Sequence, residues 1–194
     1  MTWCFVSGCS KKTALVDQYL GKSFSKDTLS ITSLECGDRR SPLDGALRDV
    51  LSRVTSQVEG WLYEGREVSD QPLWTVCTLI VARRQYTQGG ENAEHYTRAI
   101  TSWSGCTHTV HTVMGKLNCA NALKFRLSST KVKFKRIEAP MMALLAERLY
   151  HASTSGGYEV NTLIGQHIRH MAGPIGGCEG VPLLPLIHFL MPQA

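Results

Sequence analysis

The sequence predicts a single α/β domain over residues 1–194, and three observations carry that expectation. Segments of strand character and segments of helical spacing interleave along the whole chain. The run Trp74 to Ala82 (W-T-V-C-T-L-I-V-A) is almost continuously apolar and β-branched, the pattern of a strand buried on both faces. No linker, low-complexity stretch or internal repeat interrupts a chain that is 43% hydrophobic and 19% charged, which is enough apolar material for one sizeable core and too much for disorder.

Taken in order, Thr2 to Val6 reads as a first strand, Ser7-Gly8 as a turn, and Lys11 to Leu20 as a helix with Leu15, Val16 and Leu20 on one side. Leu29 to Leu34 has strand character. Ser41-Pro42 opens a second helix, with Ser41 as cap, Pro42 in the first turn and Leu47, Val50, Leu51 and Val54 as the apolar stripe. The acid-basic stretch Glu64 to Gln71 reads as a loop leading into the central strand Trp74 to Ala82. Gly89-Gly90 breaks the chain, Glu91 to Trp103 is helical, and Ser104-Gly105 ends that helix. Thr107 to Met114 is a strand rich in threonine and valine. Thr130 to Ile137 alternates as a half-buried strand does, with Val132 and Phe134 on one side and Lys131, Lys133 and Lys135 on the other. Ala139 to Ala152 is a helix opening with Pro140, and a glycine-rich tail follows from Ser155.

Several classes are excluded. No stretch approaches the roughly 20 apolar residues of a membrane span, and the most apolar run, Val181 to Met191, holds two prolines and a histidine and suits a C-terminal docking segment. The N-terminus carries its charges after its short apolar stretch, the reverse of a signal peptide. Seven scattered cysteines with no C-x-x-C pair argue against a disulfide framework or a zinc ribbon and for a reducing intracellular compartment, cytoplasm or mitochondrion, since an organellar leader can be removed before residue 1. Net charge is +5, but Lys116 to Arg136 holds seven of the 21 Lys and Arg and no acid, leaving 14 basic against 16 acidic side chains elsewhere. The basicity is local.

Three groups of residues could carry chemistry. Ser7-Gly8-Cys9-Ser10-Lys11-Lys12-Thr13 is a small-residue turn between strand and helix; its backbone N–H groups, the helix dipole and two ammonium groups favour an anion, with Ser7, Lys11 and Lys12 as phosphate ligands. It is not a Walker A loop, because the G-x-x-x-x-G-K-[ST] spacing fails, and an exposed basic first turn is the plainer alternative. His108 and His111 sit three apart on a strand and so point to opposite faces, which argues against a shared metal; His167 and His170 are an equally weak pair. Lys131, Lys133 and Lys135 would lie about 7 Å apart along a strand, near the spacing of single-strand phosphates, and with Lys124, Arg126 and Arg136 they form a candidate RNA-contact face. A lysine-defended edge strand is the alternative.

The order of these features resembles the Maf family of nucleotide pyrophosphatases, related to the inosine-triphosphate pyrophosphatases. The family opening A-S-x-S-P-R-R-x-E-L-L is here Val6-Ser7-Gly8-Cys9-Ser10-Lys11-Lys12-Thr13-Ala14-Leu15-Val16. Its L-S-G-R-x-H-x-V-x-T-x-V segment matches Trp103 to Met114, its T-x-V-x-F strand matches Thr130 to Phe134, and its terminal G-L-P matches Gly180-Val181-Pro182. The resemblance implies a mixed β-sheet flanked by helices, with a central cleft in which the first turn holds a triphosphate. It also implies cleavage between the α and β phosphates, with acidic residues holding a divalent metal and basic residues holding phosphate.

The catalytic positions depart from the motifs. Cys77 stands at the aspartate of G-A-D-T, Gly89 at the lysine of G-K-P, and Ser153 and Thr154 at the aspartate and lysine of D-K-A-G-x-Y-G-I-Q-G, whose glutamine position is Asn161. The two arginines of the first turn are Lys11 and Lys12, which keep the charge without the bidentate fork. Cysteine and serine are poor ligands for Mg²⁺ or Mn²⁺, and Glu35 alone cannot rebuild the site, so no metal and no cofactor are expected. The expectation from the sequence is therefore a pseudoenzyme, a structural or assembly component of a larger complex with protein or RNA partners, the foremost candidate being a ribonucleoprotein such as a mitochondrial ribosome, with no membrane contact. The alternatives are a nucleoside triphosphate pyrophosphatase with a rearranged site and a nucleotide-binding protein that does not hydrolyse. Homodimerisation, common in the family, is neither supported nor excluded by any sequence feature.

Overall fold

The computed structural model describes residues 3–7, 9–20, 28–29, 47–82, 85–86, 92–151 and 158–191. In chain order the elements are β1 (Cys4–Val6), α1 (Ser10–Leu20), β2 (Thr28–Leu29), α2 (Leu47–Val68), β3 (Leu73–Ala82), β4 (Gln85–Tyr86), α3 (Ala93–Trp103), β5 (Thr107–Leu117), β6 (Leu123–Phe134), α4 (Ala139–His151), β7 (Ile168–Ala172) and α5 (Leu183–Leu190). Short 3₁₀ turns cover Leu163–His167 and Gly177–Glu179. The strands form one sheet in the order β2-β1-β3-β5-β6-β7, with β4 paired to the end of β3. β1 runs parallel to β2 and β3; the pairs β3·β4, β3·β5, β5·β6 and β6·β7 are antiparallel. The sheet is therefore mixed, as expected.

β3 is the spine. Eight of its ten residues in sequence from Leu73 to Ile80 are buried, in keeping with its unbroken apolar run. It pairs along its whole length with β5, and β5 along its whole length with β6. The register divides the sheet into two faces. Trp74, Val76 and Met114 lie on one, where α1 and α5 pack through Val16, Leu186, Phe189 and Leu190. Farther along that face Ile80, Val110, Val132 and Phe134 meet Trp103 of α3 and Leu145 and Leu149 of α4. Cys77, Val113 and Leu117 lie on the other face, covered by Val58 and Leu62 of α2.

The structure corrects one expectation, the loop over Glu64 to Gln71, and extends two others. The stretch Glu64 to Gln71 is helical as far as Val68. Its charged composition conceals the stripe Val54, Val58, Leu62, which continues to Gly65, where the backbone comes so close to Val6 and Leu73 that a Cβ would sit 2.9 Å from the Val6 side chain. Arg66 closes that end by donating to the carbonyls of Ser69, Gln71 and Asn118. β6 begins at Leu123, before Thr130, and is joined to β5 by a turn in which Asn121 takes φ 57° and Asn118 Oδ1 accepts from Ala120 N and Ala122 N. The docking segment Val181 to Met191 is a helix, α5, with Leu186, Phe189 and Leu190 buried. Most of the second predicted strand, the Ser41-Pro42 helix start, Glu35 and the Gly89-Gly90 break lie outside the described residues.

Candidate phosphate-binding site

β1 ends at Val6 while its neighbour β3 continues to Ala82, so the turn leaving β1 is set against β3 just past their shared ladder. Ligands of open α/β sheets are held at such carboxyl ends of parallel strands. Two side-chain bonds build the turn. Thr75 Oγ1 donates to Val6 O at 2.6 Å and pins the end of β1, and Ser7 Oγ accepts from Cys9 N at 3.1 Å, folding the chain toward the first residue of α1. Ser7, expected as a phosphate ligand, here braces the turn.

The two lysines diverge from there. Lys12 Nζ donates to Val76 O at 3.3 Å, which sets its charge against the backbone of β3. Lys11 Nζ lies 2.6 Å from Glu159 Oε1, both side chains being 37% exposed. Glu179 reaches the other end of α1: its Oε2 accepts from Tyr19 OH at 3.3 Å and its Oε1 from Val160 N at 3.4 Å. Burial, and after it the Glu179 charge, raise the Tyr19 phenol above its ordinary value. Glu159 and Glu179 were not singled out from the sequence. The available signal was Glu159 at a glycine position of the D-K-A-G-x-Y-G-I-Q-G motif.

Cys77 is buried on the α2 face, with Sγ 4.0 Å from Gln57 Oε1. Asn161 is exposed in a turn; Gly89, Ser153 and Thr154 lie outside the described residues. Among the described residues no group of three or more His, Cys, Asp or Glu side chains is arranged to hold a metal ion. A soft sulfur bonded to Gln57 and a carboxylate already paired with lysine do not fit a hard divalent cation, which takes several oxygen ligands. His108 and His111 do point to opposite faces: His108 sits opposite Ala82 and Val132, His111 opposite Leu79 and Ser129.

On the α1 side of β3 a glycine-rich turn covers a row of hydroxyls. Thr78 and Thr112 are directly opposite one another, and their Oγ1 atoms, like that of Thr130, are buried without a hydrogen-bond partner among the described residues. Gly177 and Gly180 lie so close above them that a Cβ would run into the Thr130 and Thr78 hydroxyls, and Gly180 is held at φ 81°. Glycine is required at Gly180 on both counts and at Gly177 for the close approach alone.

The Maf-like protein family model matches residues 69–193. The chain belongs to the Maf-like family. Its relatives include a protein named dTTP/UTP pyrophosphatase from Rhodopseudomonas palustris (strain CGA009), 25% identical over 185 residues that cover 95% of this chain and 88% of the relative. Proteins of the same name from Shewanella denitrificans and Bartonella henselae are each 23% identical, covering 95% and 78% of this Maf-like chain and 92% and 68% of theirs. A solved nucleoside-triphosphatase / dITP/XTP pyrophosphatase from Mycobacterium abscessus aligns with TM-score 0.42 at 10% identity, over 72% of this chain and 77% of that one.

These relatives correct the expected function. A pseudoenzyme serving as a structural or assembly component of a ribonucleoprotein does not stand against relatives named as pyrophosphatases, nor do the ribosomal, RNA-binding and mitochondrial readings that went with it. The physical reason is in β6. Its unbroken register with β5 puts Lys124 and Arg126 opposite Lys116 and Met114, and Lys131 and Lys133 opposite Thr109 and Thr107, hence on the other face of the sheet. The basic residues form no single patch. β6 is also an interior strand at Lys131 and Lys133, flanked by β5 and β7. Lys135, just past the strand end, donates to Gln166 O, and Lys116 donates to Phe189 O while standing over the Phe189 ring. Among the described residues no helix is long and apolar enough to cross a membrane.

Proposed function

We propose that this Maf-like protein is a nucleoside triphosphate pyrophosphatase with a rearranged site, converting NTP and water to NMP and pyrophosphate. The observation that carries the reading is the placement of Lys11 and Lys12 on the first turn of α1, against β3 at Val76, in a chain whose relatives are named dTTP/UTP pyrophosphatases. Water attacks the α phosphorus and gives up a proton to solvent, the bond to the α–β bridging oxygen breaks, and pyrophosphate leaves carrying the negative charge. Ammonium groups and the amide ends of α1 are placed to stabilise that charge as it develops. Cys77, Gly89, Ser153 and Thr154 do not supply the family's acids and lysines, so the chemistry is rearranged around the two-lysine turn.

The test is pyrophosphate release by the purified chain from dTTP, UTP and a panel of other common and modified triphosphates, with Mg²⁺ or Mn²⁺ supplied. The expected products are the monophosphate and pyrophosphate with no free phosphate, and replacing both lysines by alanine should lower kcat/KM by at least about tenfold. Silence across the panel overturns the catalytic reading.

A further inference from the structure

The C-terminal half of the chain reaches back to α1 through two carboxylates, and one of them occupies a lysine of the phosphate turn. Glu159 stands where the D-K-A-G-x-Y-G-I-Q-G motif carries glycine, so the family pattern provides no side chain there. Its Oε1 is 2.6 Å from Lys11 Nζ. The backbone beside it is fixed, because Glu179 takes Val160 N with one oxygen and Tyr19 OH with the other, tying residue 160 to the helix that carries Lys11. Both members of the ion pair are 37% exposed, so a dissolved anion can reach them.

To an ammonium group a carboxylate and a phosphate present the same feature, a negatively charged oxygen acceptor. We propose that Glu159 is an internal competitor for the phosphate-binding turn: its carboxylate holds Lys11 in the empty protein, an arriving phosphate displaces it, and its return assists release of pyrophosphate. The inference rests on the phosphate-binding reading of Lys11 and Lys12 and assigns that site a built-in limit on affinity.

Glu159→Gln keeps the shape and removes the charge. In the free protein Lys11 should be acylated by an amine-reactive ester several times faster in E159Q than in wild type, read by peptide mass spectrometry against Lys133 as internal standard; equal rates overturn the proposal without reference to any ligand. In titration calorimetry inorganic pyrophosphate should bind E159Q about two- to fivefold more tightly, the range expected for an ion pair this exposed, and the gain should vanish when Lys11→Ala is added. Measurable wild-type binding with no gain in E159Q overturns the competitor alone. No pyrophosphate binding by wild type or variant overturns both the competitor and the phosphate turn.

Discussion

Two regions of this protein gather polar groups and treat them in opposite ways. Around His108 the polar atoms are sealed: the imidazole is 1% exposed, its Nε2 is 2.7 Å from the Tyr158 hydroxyl, and the rings of Trp103, Phe134 and Tyr158 surround it at centroid distances of 5.7, 5.1 and 5.6 Å. Burial lowers the His108 pKa to about 4 and pushes the Tyr158 phenol well above its ordinary value, so both stay neutral. Cys178, in the same cluster, is held up at about 11, chiefly by burial and then by Glu179. At the β1–α1 turn the groups are half-exposed and charged, and each has a counter-group or carbonyl within reach. The first region stores stability in packing; the second leaves charge where a ligand can use it.

The comparison breaks most visibly in the sealed region. Trp103 is fully buried and packs edge-on against Phe134 and Tyr158, at 6.1 and 5.1 Å. Trp103→Ala should cost about 3–5 kcal/mol by chemical denaturation, while pyrophosphate affinity of the folded fraction stays unchanged. A matching loss of affinity would show that the two regions are one.

Acid sharpens the same contrast. An unfolded histidine titrates near 6.5 and the folded His108 near 4, so between those values the unfolded chain binds the extra proton. Stability is therefore full above pH 6.5 and falls as pH drops toward about 4, by up to about 3 kcal/mol from this group. His111, also lowered by burial, adds in the same direction. Denaturation midpoints across that window should slope steeply in wild type and more gently in His108→Phe; identical slopes would mean that His108 is solvated.

Much of the sealed region was legible in the sequence, because burial on both faces of a strand writes itself as the unbroken run Trp74 to Ala82 and one-sided burial as the alternation at Val132 and Phe134. What escaped were elements whose sequence advertises something else. The last turns of α2 are rich in charge because they ride above the core on Leu62 and Gly65, and α5 has one proline at its N-cap and one, Pro185, tolerated within its first turn. At the turn, Ser7, Lys11 and Lys12 are candidates that the strand-turn-helix pattern offers. Glu159 could not, since 148 positions separate it from Lys11 and only the sheet order brings the two together. Local charge counting likewise made Lys116 to Arg136 one patch, whereas register distributes it over two faces.

The smallest effect discriminates between the regions most finely. Lys12 is half-buried and gives the fold one hydrogen bond, to Val76 O at 3.3 Å. A single bond of that kind contributes about 0.5–1.5 kcal/mol. Lys12→Ala should therefore leave stability within about 1 kcal/mol of wild type while weakening triphosphate binding, a pairing of effects that calorimetric titration and denaturation can read on the same preparation. A loss of stability comparable to that of a core truncation would place Lys12 with Trp103, as a residue that holds the sheet together, and would leave Lys11 to hold the phosphate against Glu159 without its neighbour.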